Sequence, residues 1–230
     1  MSKKKEIILI CVAHRDDETL GCGSIIQKHI LNKDSVYCIS MTDGVSSRLQ
    51  KNSDLKKKNR IANSIKASKI LGFKWIDIGE KFPDNQLDKV ALLKIIKVIE
   101  KIKKKIKPTI IYTHNPGDLN IDHRIVTDAV MTAFRPLAKE NWKKIIAFEI
   151  PSSTDYSYYD ENKIFTPNYI VNIEKFWLKK KLALLAYKSE IKKFPNSRSI
   201  QGIYNLAKIR GVQNGFKLAE AFKILKEINR

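Results

Sequence analysis

The strongest constraint on the fold is an alternation of short apolar runs with longer segments of helical periodicity. Runs rich in Ile, Val and Tyr predict strands, because the strands of a parallel sheet are buried on both faces. The predicted strands cover 6–13, 35–41, 74–78, 109–113, 144–149 and 169–173. The remaining periodic segments predict helices over 18–32, 55–71, 88–107, 123–138, 175–192, 200–209 and 215–229.

This alternation predicts an α/β fold with a Rossmann-like open sheet that is mostly parallel and has helices on both faces. From about residue 156 the pattern changes to a Tyr-rich stretch, which an α-rich extension follows. The 230 residues contain no Pro, Gly or Ser linker and no internal repeat. We therefore expect a single domain, in which a C-terminal extension over 156–230 packs on a core over 1–155.

The charge of the chain bears on its partners. There are 44 Lys and Arg residues against 24 Asp and Glu, a formal charge of +20 that would attract phosphates, nucleic acid or an anionic membrane surface. Much of the excess Lys fills the polar face of helical stretches such as 94–107, a pattern that an AT-rich genome also produces. Motifs typical of nucleic-acid binding are missing from the sequence. We therefore expect no nucleic-acid partner. Contact with a membrane surface stays open, and the sequence does not indicate an oligomeric state.

Cysteine usage and hydropathy bear on location. The three cysteines have no C-x-x-C spacing, so the sequence indicates neither a disulfide framework nor a Cys-rich metal site. No apolar run approaches the roughly 20 residues that span a bilayer. The first residues also lack a signal-peptide cleavage pattern. These features predict a cytoplasmic protein, with the inner face of the membrane as a second location.

Polar clusters follow the first five predicted strands, over 14–18, 42–48, 82–88, 114–123 and 151–155. In open α/β sheets, ligands bind beyond the carboxyl ends of the strands. The sequence therefore predicts that five loops converge on one rim of the sheet.

Two of these clusters contain a His beside carboxylates. His14 precedes Asp16 and Asp17, and His123 follows Asp122. A hydrolytic zinc site usually has three protein ligands from His and Asp or Glu, plus an open position for water. His14, Asp17 and His123 would supply that set, and Asp16 could take a proton from the attacking water.

The acidic run also has a structural interpretation. Asp and Glu at the start of a helix often serve as caps and as partners of the helix dipole, so Asp17 or Glu18 could simply cap the helix that begins near residue 18. The second cluster, about 100 residues away at a matching strand end, favours the metal site.

Two motifs resemble those of the PIG-L/LmbE-like family of zinc-dependent N-deacetylases. "AHRDDETLGCG" (13–23) is similar to the family's A-H-P-D-D-E motif, and "THNPGDLNIDHRIVTDAV" (113–130) is similar to its second motif, which ends in D-H. Weaker matches extend over nearly the whole chain: TDGVSSR, ASKILGF, FPDNQLD, EIPSST, ALLAYKSE, NSRSI, AKIRG and AEAF.

The resemblance implies a site and an activity. One Zn²⁺ per chain would be bound by His14, Asp17 and His123, with Asp16 as the general base. Asp122 would orient a ligand imidazole, as carboxylates usually do around zinc-bound His. The reaction would remove the N-acetyl group from an N-acetylglucosamine-type sugar and release acetate and an amino sugar.

Two positions depart from the family pattern. Arg15 replaces a Pro, which removes a φ constraint but no ligand. Asn120 stands where several members carry a His, and an amide can stabilise an oxyanion but cannot deliver a proton. We therefore predict that protonated Asp16 also serves as the acid. His114 is a second candidate, or else a strand-end residue that bonds to the backbone.

Substrate contacts are predicted on the loops that share the rim. Arg48 is the predicted phosphate contact because of its guanidinium fork, whereas Arg60 could be solvated or ion-paired. The predicted substrate contacts are Asp43, Arg48, Asp84, Asn85, His114, Ser152 and Ser153.

The expected substrate is a nucleotide- or lipid-linked N-acetyl sugar from bacterial surface-glycan biosynthesis, whose phosphate would suit the basic charge. Two alternatives are a zinc amidase that cleaves a non-sugar N-acyl compound and a non-catalytic basic module. Such a module would bind a nucleotide or an anionic membrane surface.

Overall fold

The computed structural model describes residues 5–42, 44, 53–79, 81–157, 160–161 and 163–229. No helix in these ranges is long and apolar enough to cross a membrane. A short 3₁₀ helix spans Leu87–Lys89. The helices and strands are β1 (Ile7–Val12), α1 (Asp17–Leu31), β2 (Ser35–Ser40), α2 (Ser53–Leu71), β3 (Lys74–Trp75), α3 (Leu92–Ile106), β4 (Ile110–His114), α4 (Ile121–Ala133), β5 (Lys144–Phe148), β6 (Tyr169–Asn172), α5 (Trp177–Ala186), α6 (Ile200–Val212) and β7 (Ala219–Glu227).

The strands form one open sheet in the order β3-β2-β1-β4-β5-β7-β6. The pairs among β1 to β5 are parallel, whereas β7 runs antiparallel to both β5 and β6. The predicted fold class, a mostly parallel open α/β sheet, is confirmed. Because β1 lies between β2 and β4, the chain changes direction across the sheet there, and such switch points form the ligand crevice of α/β folds.

The sheet separates two apolar cores, which explains why its strands are apolar throughout. Ile8 and Ile10 of β1 pack with residues of α1, α2, α5 and α6. Leu9 and Cys11 point to the other face and pack with residues of α3 and α4. A strand covered on both faces has no solvent-facing positions that polar residues could occupy.

The helix predicted over 215–229 is wrong, because Ala219–Glu227 form strand β7. The Ala, Leu, Lys and Glu residues of this segment favour a helix, but backbone pairing with β5 on one side and β6 on the other outweighs that preference. The C-terminal part of the chain therefore adds two strands to the sheet in addition to helices α5 and α6. The strand predicted over 74–78 is limited to Lys74–Trp75.

The glycines of the "GCG" stretch in α1 permit close packing by later parts of the chain. A Cβ atom at Gly21 would overlap the ring of Phe148 at the end of β5. A Cβ atom at Gly23 would lie 2.8 Å from Cγ of Lys180 on α5. These two positions accept only a residue without a side chain, unless β5 or α5 moves.

A buried ion pair enters the hydrogen-bond ladder of α1. Nζ of Lys180 donates to the carbonyl of Leu20 at 2.7 Å and lies 2.8 Å from Oε1 of Glu220 on β7. The Glu220 carboxylate accepts from the backbone amides of Ser24 and Ile25 at 2.9 and 2.8 Å. In a regular helix the Ser24 amide would donate to the Leu20 carbonyl. The pair therefore fastens α5 and β7 to the middle of α1.

Replacement of Lys180 by Met is expected to lower the free energy of unfolding by about 3–5 kcal/mol, because it leaves the buried Glu220 carboxylate without its counter-charge. Urea denaturation followed by circular dichroism measures this change. Lys179→Met, at the adjacent exposed position, is the matched control and should change stability by less than about 0.5 kcal/mol. Equal effects of the two substitutions would contradict the role of the ion pair.

Candidate active site

A cavity of about 480 Å³ lies at the carboxyl ends of β1 and β4. Loops that follow five different strands, β1 to β5, reach it, together with α2 and the segment after α5. Its lining is polar apart from Leu119 and Ile121. The lining residues are His14, Asp16, Asp17, Gly44, Arg60, Asp84, Asn85, Leu119, Asn120, Ile121, His123, Ser152, Ser153, Glu190 and Arg198.

Three side chains converge at one wall of the cavity with geometry suited to a metal ion. His14 Nδ1 lies 3.2 Å from Asp17 Oδ2, and His123 Nε2 lies 3.4 Å from the same oxygen. The two nitrogens are 3.2 Å apart. A tetrahedral ion with bonds of about 2.0–2.1 Å separates neighbouring ligand atoms by about 3.3–3.4 Å. These three atoms could therefore hold such an ion with little movement.

Two helix N-termini place these ligand atoms. Asp17 is the first residue of α1, and its Oδ2 also accepts from the backbone amide of His14 at 2.9 Å. His123 lies in the first turn of α4, whose N-cap is Asn120, with Oδ1 accepting from the backbone amide of Asp122 at 2.8 Å. Both helix dipoles thus direct their positive ends to the cavity, which favours negative charge there.

The capping interpretation of the acidic run does not describe this structure. Asp16 precedes α1, and its side chain makes no capping hydrogen bond. Glu18 is fully buried, and its Oε1 accepts from the hydroxyls of Thr19 at 2.6 Å and Tyr187 at 2.7 Å. Burial raises the pKa of Glu18 to about 7. Asp16 and Asp17 line the cavity instead of the protein surface.

Asp118 holds the second nitrogen of His123, a role that sequence reasoning missed. His123 Nδ1 lies 3.1 Å from Asp118 Oδ1. The Asp118 carboxylate also accepts from the hydroxyl of Thr154 at 2.6 Å and from that of Ser153. This leaves Nε2 of His123 directed at Asp17. The sequence contained a signal for this role, because Asp118 is a further carboxylate within the second motif.

Asp84 and Asp122 hold the second nitrogen of His14. Its Nε2 lies 3.0 Å from Asp84 Oδ1 and 3.2 Å from Asp122 Oδ2. Asp122 also accepts from the backbone amides of Asn85 at 2.6 Å and Leu87 at 3.0 Å, which fixes the loop after β3. His14, Asp84 and Asp122 also lie close enough together to hold a metal ion. Because Asp122 already accepts two backbone hydrogen bonds, we interpret this group as the support of the His14 ring.

The charges of this cluster reinforce one another. Burial would raise the pKa of Asp17, but the neighbouring His123 and His14 hold it well below its usual range. Burial would likewise lower the pKa of His123, but Asp17 and Asp118 raise it to about 9. The pKa of His14 is also raised well above its usual value, chiefly by Asp17 against the effect of burial. Despite its burial, Asp118 has its pKa lowered to about 2 by His123.

Asp16 forms a separate buried network on the other side of the cavity. Its Oδ2 lies 3.1 Å from Nη1 of Arg60 on α2 and 3.5 Å from Nη1 of Arg198. Nη2 of Arg60 contacts Oε1 of Glu190 at 2.9 Å. Burial raises the pKa of Asp16, and the charge of Arg60 offsets only part of that effect. The sequence left open whether Arg60 is solvated or ion-paired, and the structure shows that it is ion-paired.

Glu190 and Arg198 were not predicted as site residues. Both lie beyond the two recognisable motifs, in the stretches "ALLAYKSE" and "NSRSI". Those weaker matches contained the only sequence signal for them.

His114 requires a correction. Its side chain is fully buried beneath the cavity, and its Nε2 accepts from the backbone amide of Ala13 at 2.9 Å. The ring stacks on His123 with centroids 3.9 Å apart, and burial together with the charge of His123 lowers the pKa of His114 well below its usual value. His114 is therefore the strand-end residue bonded to backbone, and neither the substrate contact nor the proton donor.

The other predicted substrate contacts have different positions. Asn85 and Ser152 line the cavity, both with positive φ, at 54° and 66°. Ser153 also lines it, but its hydroxyl bonds to Asp118. The predictions for Asp43 and Arg48 lie outside the described residues.

Arg15 does not line the cavity. Its guanidinium group lies 4.4 Å from the centre of the Trp75 ring and donates to the Ser64 hydroxyl at 2.8 Å. The residue that replaces the family's Pro therefore anchors the loop after β1 to α2 and β3.

Comparison with known proteins gives one family. The family model described as PIG-L, GlcNAc-PI de-N-acetylase, matches residues 9–134, which is more than half of the chain. Among curated proteins, no sequence matches the chain.

Several solved structures share the fold. The N,N'-diacetylchitobiose deacetylase from Pyrococcus horikoshii has a TM-score of 0.76 at 19% identity, over 96% of this chain and 84% of that one. GalB, the 4-carboxy-2-hydroxymuconate hydratase from Pseudomonas putida KT2440, has a TM-score of 0.75 at 17% identity, over 98% of both chains. The A40926 pseudoaglycone deacetylase Dbv21 has a TM-score of 0.72 at 16% identity, over 99% of this chain and all of that one. Identities this low show the shared fold alone, and the fold serves more than one reaction.

Replacement of Asp118 by Asn is expected to weaken Zn²⁺ binding by about 10- to 100-fold, because His123 loses the carboxylate that directs its Nε2 toward Asp17. Competition with a chromophoric chelator measures the affinity. Asp128→Asn, on the exposed side of α4, is the control and should leave the affinity unchanged. An unchanged affinity in the Asp118 variant would contradict the orienting role.

The affinity for Zn²⁺ is also expected to rise with pH. Because the pKa of His123 is raised to about 9, its imidazole is protonated at neutral pH and must lose that proton to bind a metal. Affinity should therefore increase from neutral pH to about pH 9, by about tenfold per pH unit for each proton displaced. Isothermal titration calorimetry in buffers of different ionisation enthalpy counts the released protons, and binding without proton release would contradict this expectation.

Proposed function

Because the chain belongs to the PIG-L family, GlcNAc-PI de-N-acetylase, we propose that it is a zinc-dependent hydrolase that removes the N-acetyl group from an N-acetylglucosamine-type sugar. Water is consumed, and the products are acetate and a free amino sugar. The observation that carries the proposal is the convergence of His14, Asp17 and His123 within 3.2–3.4 Å of one another, in the cavity that Asp16 also lines.

One zinc ion per chain would be held by His14 Nδ1, Asp17 Oδ2 and His123 Nε2. Their spacing suits zinc, and a set of two imidazoles and one carboxylate is typical of hydrolytic zinc sites. When bound, zinc lowers the pKa of water and polarises the acetamide carbonyl. Asp118 on one side, and Asp84 and Asp122 on the other, keep the two imidazoles in the required tautomers.

Asp16 is the proposed general base. Its carboxylate takes a proton from the attacking water as that oxygen bonds to the acetamide carbon. The raised pKa that burial gives Asp16 makes it a stronger base than an exposed Asp. When the C–N bond breaks, Asp16 returns the same proton to the departing amine. Arg60 and Arg198 fix the position of the carboxylate during both transfers.

Asn120 is the proposed oxyanion donor of the protein. Its Oδ1 accepts from the Asp122 amide as the N-cap of α4, so Nδ2 is the polar atom left for the cavity that Asn120 lines. An amide N–H directed at the developing oxyanion stabilises the tetrahedral intermediate. The N-cap bond fixes the orientation of this donor before substrate binds.

The proposed substrate is a nucleotide- or lipid-linked N-acetyl sugar of surface-glycan biosynthesis, handled in the cytoplasm or at the inner face of the membrane. A cavity of about 480 Å³ with a polar lining suits a sugar and part of its linked group. The Pyrococcus relative is a deacetylase of N,N'-diacetylchitobiose, which supports the sugar class. Asn85 and Ser152 are the proposed sugar contacts within the described part of the chain, and Asp43 and Arg48 stay predictions.

Other functions make different use of the same fold. A zinc amidase would release a free amine from a non-sugar N-acyl compound, and a hydratase such as GalB would release no acetate. A non-catalytic binding module would not need three ligand atoms at tetrahedral spacing, so the intact cluster disfavours it. A panel of nucleotide-linked, lipid-linked and non-sugar N-acetyl compounds, scored for both acetate and amine, separates these functions.

Replacement of Asp16 by Asn is expected to reduce acetate release by about 10²- to 10⁴-fold, because the variant has no base for the attacking water. Metal analysis should find the same zinc content as in the wild type, since Asp16 is not one of the ligands. Asp88→Asn, an exposed carboxylate near the cavity, is the matched control and should keep full activity. An Asp16→Asn protein with normal zinc and near-normal activity would overturn the mechanism.

A further inference from the structure

The outer side of α5 carries an apolar stripe that the described part of the chain leaves exposed. Leu178, Leu182 and Leu185 are 66%, 47% and 39% exposed. Their spacing of four and three residues places them in one row along the helix. The opposite side of α5, with Ala183 and Leu184, is buried in the core. The solvent-facing side of a surface helix is usually polar, so an exposed row of leucines on this side of α5 is unusual.

Positive charge surrounds this stripe. The segment 175–194 has a single acidic residue, Glu190, which is buried and paired with Arg60 at 2.9 Å. One of its lysines, Lys180, is also buried. Every exposed charge of the segment is therefore positive. The exposed lysines are Lys175, Lys179, Lys181, Lys188, Lys192 and Lys193.

The same composition continues on both sides of α5. Phe194, 63% exposed, follows two of these lysines directly. Helix α2 packs against α5 and exposes Ile61 and Ile65 together with Lys66 and Lys69. Basic apolar surface thus extends over two adjacent helices.

Three residues that line the cavity lie close to this surface in the sequence. Arg60 lies on α2, one residue from the exposed Ile61, and its guanidinium group lines the cavity. Glu190 lies four residues before Phe194, and Arg198 four residues after it, and both also line the cavity.

We propose that the exposed face of segment 175–194 docks the protein on an anionic lipid bilayer. Leu178, Leu182, Leu185 and Phe194 would enter the interface between headgroups and acyl chains, as apolar residues of interfacial helices do. The lysines around them would reach lipid phosphates while their aliphatic stems cover apolar surface. Both halves of the surface, the apolar row and the positive border, are used by this occupant.

Other kinds of partner would not use both the apolar row and the lysines around it. A second copy of the chain, related by a two-fold axis, would bring two rows of lysines together, and like charges repel. The apolar row also offers much less than the roughly 800 Å² per partner of a stable interface. Nucleic acid would use the lysines but leave the exposed leucines in water. The inference stands on this surface alone and holds whichever substrate the cavity takes.

Co-sedimentation with lipid vesicles tests the proposal. The full chain should bind vesicles of phosphatidylcholine mixed with phosphatidylglycerol, and should not bind phosphatidylcholine alone. A Lys179→Gln, Lys181→Gln and Lys188→Gln variant should bind the mixed vesicles roughly 100-fold more weakly, from about a fivefold loss for each lysine at the surface. Lys94→Gln, Lys97→Gln and Lys101→Gln on α3 remove the same charge elsewhere and should have little effect. Equal losses in the two triple variants would mean diffuse attraction by net charge and would overturn the proposal.

The apolar row provides a second, independent measurement. A Leu178→Ser and Leu182→Ser variant keeps every charge, yet should lose the part of vesicle binding that persists at high salt. Leu93→Ser, at an exposed position of α3, is its control and should bind as the wild type does. Binding of the double variant that equals the control at all salt concentrations would overturn the proposal. A wild-type dimer in sedimentation velocity that the double variant abolishes would also overturn it, by assigning the face to a second copy.

Discussion

The carboxylate of Asp17 is the contact around which the site is arranged. It is buried at the start of α1, where an unpaired charge would be costly, and it is compensated by two imidazoles and a backbone amide. Each imidazole is compensated in turn by carboxylates behind it, Asp118 for His123 and Asp84 with Asp122 for His14. The alternation of negative and positive groups stabilises the cluster and directs one nitrogen of each ring at the same point. The contacts that stabilise the cluster are thus the ones that position the ligand atoms of the proposed zinc site.

The C-terminal part of the chain completes this site from outside the segment that the family model matches. Residues 9–134 contain the cluster of His14, Asp17 and His123 together with Asp16, but Asp16 and Arg60 find two of their partners, Arg198 and Glu190, beyond it. Glu190 and Arg198 follow α5, which Lys180 and Glu220 help to fix to the core. Gly21 and Gly23 serve this packing, because a Cβ atom at either position would overlap Phe148 or Lys180. The stability of the fold and the electrostatics of the cavity therefore depend on the same inter-element contacts.

The sheet and the cluster could be predicted from the sequence for one physical reason. A strand that is buried on both faces is apolar, so the first polar residues after it mark the carboxyl end of the sheet, where His14, Asp17 and His123 meet. Contacts that depend on three-dimensional proximity alone could not be predicted in this way. Asp122 is adjacent to His123 in the sequence and Asp118 lies five residues before it, yet the fold shows that Asp118 holds His123 while Asp122 holds His14. Strand β7 was missed because its helix-forming residues are outweighed by pairing with β5 and β6, which local periodicity does not contain.

Arg60 pairs with both Asp16 and Glu190, and this affects how a site that has Asn120 could protonate the departing amine. Within the described lining of the cavity the imidazoles are His14 and His123, and both are committed to Asp17 and to the carboxylates behind them. A proton for the amine must then come from a carboxyl group, and burial favours the protonated form of Asp16. When Asp16 takes up a proton in the proposed mechanism, Arg60 loses one counter-charge but keeps Glu190 at 2.9 Å. Arg60 therefore stays paired at that step, so Glu190 lowers the cost of the protonated state that the second half of the reaction requires.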